Sequence, residues 1–174
     1  MFDMLRSILI NAHDVHINMA TCPTLRWFAS LNLYGEVVHS TSYRLSRSRA
    51  SYFVQLHDVG HEHYLHACDT SYTMRKDKFL FAIVHRFAML VGPQAMTYGL
   101  NDSRYALVDV YVDISDAHDN TIGRHRVMKA PSSGSSMMFV PVDTIVAKCV
   151  FSPHEGVVGQ YFVVPTWKKG ETRI

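Results

Sequence analysis

The chain reads as a mainly β protein, a single distorted β-barrel or sandwich with a short N-terminal helix. Three observations lead there. From Arg104 to Ile114 the even positions Ala106, Val108, Val110, Val112 and Ile114 are all apolar, while the odd ones mix Tyr105, Leu107 and Tyr111 with Asp109 and Asp113. That is the period-two alternation of a strand with one buried face, and it predicts that both aspartates point outward. Further β-branched and aromatic runs recur between Arg49 and Tyr161, punctuated by Gly, Pro, Asn and Asp. Finally, 174 residues at 48% hydrophobic content make about one domain, with enough apolar surface for a core.

In chain order, Phe2, Leu5, Ile8 and Leu9 recur at helical spacing, and Cys22-Pro23 interrupts any continuation. Residues 1–30 are therefore assigned to a helix and connector, 31–165 to the β-rich domain and 166–174 to a polar tail. Leu25 to Val38 is mixed and supplies core candidates, Trp27 and Phe28 among them; a first strand is expected near Gly35 to Ser40. Ala50 to His57 alternates Tyr52, Val54 and Leu56 against Phe53, Gln55 and His57, with Tyr64 to Cys68 as a hairpin partner. Phe79 to Val91, closed by Gly92-Pro93, predicts a buried strand because Phe, Ile and Val dominate it.

A loop to Asp102-Ser103 follows, then the Arg104 to Ile114 strand and a loop from Asp116 to Gly123. Ala130 to Ser136 has linker composition. Met137 to Val142 and Thr144 to Phe151 read as strands, Pro141 requiring an edge or a bulge. The last strand, Gly159 to Val164, is expected to stop at Pro165.

The formal charge of +2 is too small to attract a polyanion in bulk, so any such site must come from local clustering. Cys22, Cys68 and Cys149 are odd in number and form no CxxC pair, which argues against a disulfide framework or zinc ribbon and for an intracellular setting, nucleus or cytoplasm. Cys149 reads as a small core residue. No apolar run is long enough to span a bilayer, so no membrane partner is expected. Phosphate-loop, GxGxxG and GxSxG signatures are missing.

Two segments carry candidate chemistry. Tyr43 to Tyr52 flanks Arg44, Arg47 and Arg49 with aromatic residues. In an extended chain Arg47 and Arg49 share a face suited to phosphate contacts, and Tyr43 or Tyr52 can stack on a base. Arg124, Arg126 and Lys129 can join this basic segment only if folding brings them to the same face. The second segment gathers His57, Asp58, His61, His63 and His66, side chains suited to a divalent transition metal.

The run His57-Asp58-Val59-Gly60-His61 resembles the signature of HD-type metal-dependent phosphohydrolases. That resemblance implies His57 and Asp58 as ligands, His39 as an upstream ligand and His61 beside them, holding a metal that polarises water for attack on a phosphate ester. The family is all-helical, whereas strands flank the motif here, so a polar histidine-rich hairpin with no cofactor is the preferred reading.

A second resemblance spans about Tyr34 to Pro165: the entry run Arg47 to Val54, the apolar run Phe79 to Phe87, Val140 to Val146 followed by Cys149, and the closing Tyr161 to Pro165. In this order they resemble the β-rich carboxyl-terminal module of transposon-derived fungal proteins, similar to bromo-adjacent-homology barrels. The resemblance implies a non-catalytic role contacting nucleic acid or a chromatin-associated protein.

Overall fold

The computed structural model describes residues 24–43, 52–57, 80–97, 99–116, 118–119, 123–129 and 137–168. Ten strands dominate them: β1 Thr24–Phe28, β2 Ser30–Leu33, β3 Glu36–His39, β4 Phe53–Leu56, β5 Leu80–Val91, β6 Arg104–Asp113, β7 His125–Lys129, β8 Met137–Pro141, β9 Ile145–Pro153 and β10 Gln160–Lys168. A short helix, α1 Pro93–Thr97, opens the β5–β6 connection, and a 3-10 turn, Val142–Thr144, joins β8 to β9.

Eight strands form one antiparallel sheet in the order β1-β5-β4-β9-β10-β7-β6-β8, with β2 and β3 as a separate hairpin. A further pairing of β5 with β6 links strands distant in that order. The pairings therefore run in a cycle from β4 through β5, β6, β7, β10 and β9 back to β4. β1 adds to the far half of β5, and β8 to the near half of β6.

Three clusters make up the core. Phe81, Tyr111, Val127, Ala147, Cys149 and Val163, with Phe53 and Tyr161 packed against them, draw on every strand of the cycle. A second cluster includes Val54, Leu80, Val84, Val108 and Ile145, and the β2–β3 hairpin contributes Leu33 and Val38 to it. The third lies around α1, where Leu90, Leu100, Tyr105 and Phe139 meet, with Trp27 against them. Full burial of one such large side chain contributes about 2–3 kcal/mol.

The long strands expected at Phe79 to Val91 and Arg104 to Ile114 form as β5 and β6, and Cys149 is a core residue. The expectation of one buried face fails on β6. Ala106, Val108 and Val110 are buried, but so are Tyr105 at 1% exposure and Asp113 at 8% on the other face. Clusters on both sides of the strand cover it, so Asp109 and Asp113 do not point into solvent as isolated carboxylates.

Other elements shift. β1 forms within the stretch read as connector, because Leu25 and Trp27 have β5 to pair with and the third cluster to enter. The strand expected to end at Pro165 runs to Lys168: a register irregularity between Pro165 and Trp167 absorbs the missing amide, so residues read as the start of a polar tail pair with β9. Pro141 ends β8, whose partner is β6. β7 replaces what read as a basic group after a loop. The helix expected over Phe2 to Leu9, the hairpin partner Tyr64 to Cys68 and the linker Ala130 to Ser136 lie outside the described residues.

Candidate partner-binding surface

Thr41, two residues before Tyr43, and Tyr52, at the far end of the basic segment, meet the same position on β5. The Val84 amide donates to the Tyr52 carbonyl at 2.9 Å, and the Val84 carbonyl accepts from the Thr41 amide at 2.9 Å. The chain thus meets one strand position on both sides of the segment. Tyr43 stacks on His39 with centroids 4.0 Å apart, and Tyr52 tilts against Phe53 at 4.5 Å. Arg44, Arg47 and Arg49 lie outside the described residues.

Next to Val84, His85 places Nε2 3.1 Å from Asp109 Oδ2 and Nδ1 3.4 Å from Thr41 Oγ1. Lys129 Nζ donates to the same Asp109 oxygen at 3.2 Å. The order hydroxyl, imidazole, carboxylate outlines a nucleophile triad, but the hydroxyl contact is long and Lys129 already neutralises the carboxylate, so the group is a polar link between β5, β6 and β7. Asp113, farther along β6, meets His125 Nδ1 at 3.0 Å and accepts from the Ser115 amide at 2.8 Å.

The residues of the metal alternative divide. Asp58 and His61 lie outside the described residues. His57 is exposed, its backbone amide donating to the Thr144 carbonyl at 2.7 Å. His39 is partly buried, and its Nδ1 is a buried atom with no hydrogen-bond partner among the described residues. Burial, and then the nearby Lys148 ammonium, push the His39 pKa below the usual imidazole range. Among the described residues no three His, Cys, Asp or Glu side chains group as a metal site.

The remaining described cations fall into two sets. Arg124 and Arg126 bind Asp119 at 3.4 and 3.3 Å, Arg126 also reaches Asp116 at 3.1 Å, and Lys148 bonds Glu36 at 3.1 Å. Together with Lys129 these are locally neutralised, so the group at Arg124, Arg126 and Lys129 does not extend the basic segment as a free patch. Arg26, Arg86 and Arg104 form the second set, their side chains making no hydrogen bond or ion pair to another described residue. Arg86 lies 6.0 Å from the Trp27 ring centroid. Sequence reasoning passed over all three because each is a single arginine in a strand of largely apolar residues; the signal available was that such a residue needs a cross-strand partner or solvent.

No helix among the described residues is long and apolar enough to cross a membrane. Comparison with known proteins finds no matching family model, no matching curated protein and no matching solved structure.

Proposed function

We propose that the chain is a non-catalytic interaction module of mobile-element origin, acting inside the cell and contacting an acidic partner, nucleic acid or a chromatin-associated protein, through Tyr43, Arg44, Arg47, Arg49 and Tyr52. The six-strand cycle of pairings supports reading the fold as a distorted barrel, with β1 and β8 as additions to it. The resemblance to bromo-adjacent-homology barrels is part of the same proposal. The observation that supports it is the anchoring of Thr41 and Tyr52 on Val84, because it fixes the chain at one strand position on both sides of the arginines, with Tyr43 two residues beyond Thr41. Guanidinium groups supply phosphate contacts and the tyrosines supply stacking faces.

The test is binding to short duplex and single-stranded DNA across a salt series. Arg47→Ala with Arg49→Ala is expected to weaken binding and to reduce the slope of log affinity against log salt by about 1.4–1.8, the value for two lost phosphate contacts. The unfolding midpoint should stay unchanged. No binding by the unmodified protein at low salt rejects nucleic acid as the partner. Stoichiometric metal and phosphodiesterase activity, both lost on His57→Ala, would replace this reading with the hydrolase built on His39, His57, Asp58 and His61.

A further inference from the structure

A pocket of about 310 Å3 opens on the other half of β5, lined chiefly by Arg26, Phe28, Leu31, Phe87, Met89 and Arg104. The registers build it. Arg26 pairs with Met89, and Met89 with Arg104, so the two arginines stand in one row on either side of a thioether. Two strand spacings put their Cα atoms ~10 Å apart, within reach of two long side chains converging on one anion. In the next row on that face Phe28 pairs with Phe87, which is buried in the core, and Leu31 and Phe28 pack against it. The result is an apolar floor below two exposed guanidinium groups.

Neither arginine has a polar partner among the described residues, whereas Arg124, Arg126, Lys129 and Lys148 all meet carboxylates. An uncompensated cation pair over aromatic and aliphatic surface selects a ligand with one anionic end and one apolar body. Planar guanidinium groups fit a carboxylate bidentately, as they do a phosphate, and the volume lies at the small end of the range for ligand pockets, which suits the smaller carboxylate on an apolar body. We infer that this pocket binds a compact organic carboxylate of the aryl or acyl type. Arg26 and Arg104 hold the carboxylate, and the body rests on Phe28, Leu31 and Phe87. The site shares no residue with the basic segment and stands independently of the function proposed above.

The experiment titrates the full chain with phenylacetate and with hexanoate by calorimetry, against phenylacetamide and inorganic phosphate. Saturable binding of at least one carboxylate is expected, with the neutral amide and the bodiless anion each weaker by about tenfold or more. Arg26→Gln and Arg104→Gln should each lower carboxylate affinity about tenfold or more. Both side chains are exposed, so the variants should keep the wild-type urea midpoint. Arg47→Ala with Arg49→Ala should leave carboxylate binding unchanged. The inference is overturned if neither carboxylate binds saturably, if phenylacetamide or phosphate binds as tightly, or if the Arg26→Gln, Arg104→Gln double variant binds like the unmodified protein.

Discussion

Replacing Asp113 by Asn removes a charge from the inner run of β6 while keeping side-chain volume, and its cost follows from the contacts. The carboxylate accepts from the Ser115 amide at 2.8 Å and faces His125 Nδ1 at 3.0 Å, the Asp113 and His125 side chains being 6% and 19% exposed. The introduced carboxamide keeps an acceptor for Ser115 but weakens the contact to His125, so the loss is that of a partly buried charge-assisted hydrogen bond, about 2–3 kcal/mol. Urea unfolding of wild type, Asp113→Asn, His125→Gln and the double variant at pH 7 should give a coupling energy of about 1–2 kcal/mol.

The pH dependence supplies a second readout. Burial by itself raises the Asp113 pKa, but hydrogen bonds from His125 and from the Ser115 hydroxyl and amide outweigh it and hold the carboxyl below its ordinary value. A folded-state pKa below the unfolded one adds stability that is complete above the unfolded value, about 4, and is lost as pH falls through the folded value. The gap between wild type and Asp113→Asn should therefore shrink as pH falls below about 4. A coupling energy under about 0.5 kcal/mol, or a gap that does not change with acidification, refutes the assignment.

Two further outcomes follow from local geometry. Tyr34 at φ 52° and Gly35 at φ 85° form the two-residue turn between β2 and β3, with Asn32 Oδ1 accepting the Gly35 amide at 3.0 Å. Asn tolerates the left-handed region better than Tyr, so Tyr34→Asn should raise the urea midpoint by the equivalent of about 0.5–1 kcal/mol, and an unchanged or lower midpoint counts against backbone strain there. His39, with its depressed pKa, takes up a proton less readily in the fold than in the unfolded chain, so it makes stability fall as pH drops below about 6.5. His39→Phe keeps an aromatic face for Tyr43 and should flatten unfolding free energy against pH in that window; identical slopes for both proteins would remove His39 from the acid response.

Strand formation in the middle of the chain is legible from residues alone. β5 and β6 are rich in Val, Ile, Phe and Tyr over ten or more positions, and runs of that length identify strands without knowledge of their neighbours. β1, β2 and β7 are four or five residues long and carry Arg26, Asn32, His125, Arg126 and Lys129. Their local signal is weak, and they form because a partner strand satisfies their amides and a cluster accepts their apolar side chains. The basic segment was visible as a spacing of arginines between tyrosines. That Thr41 and Tyr52 both bond Val84 was not, because hydrogen bonds between positions so far apart in the chain leave no local trace.

Sequence by itself determined that the molecule is built from strands, since side-chain shape and alternation act within a few residues. Tertiary structure decided which charges are spent and which remain available. Arg126 and Arg104 look alike along the chain, yet one reaches Asp116 and Asp119 while the other stands across Met89 from Arg26. Electrostatic pairing depends on distance through space, and strand order with register sets that distance.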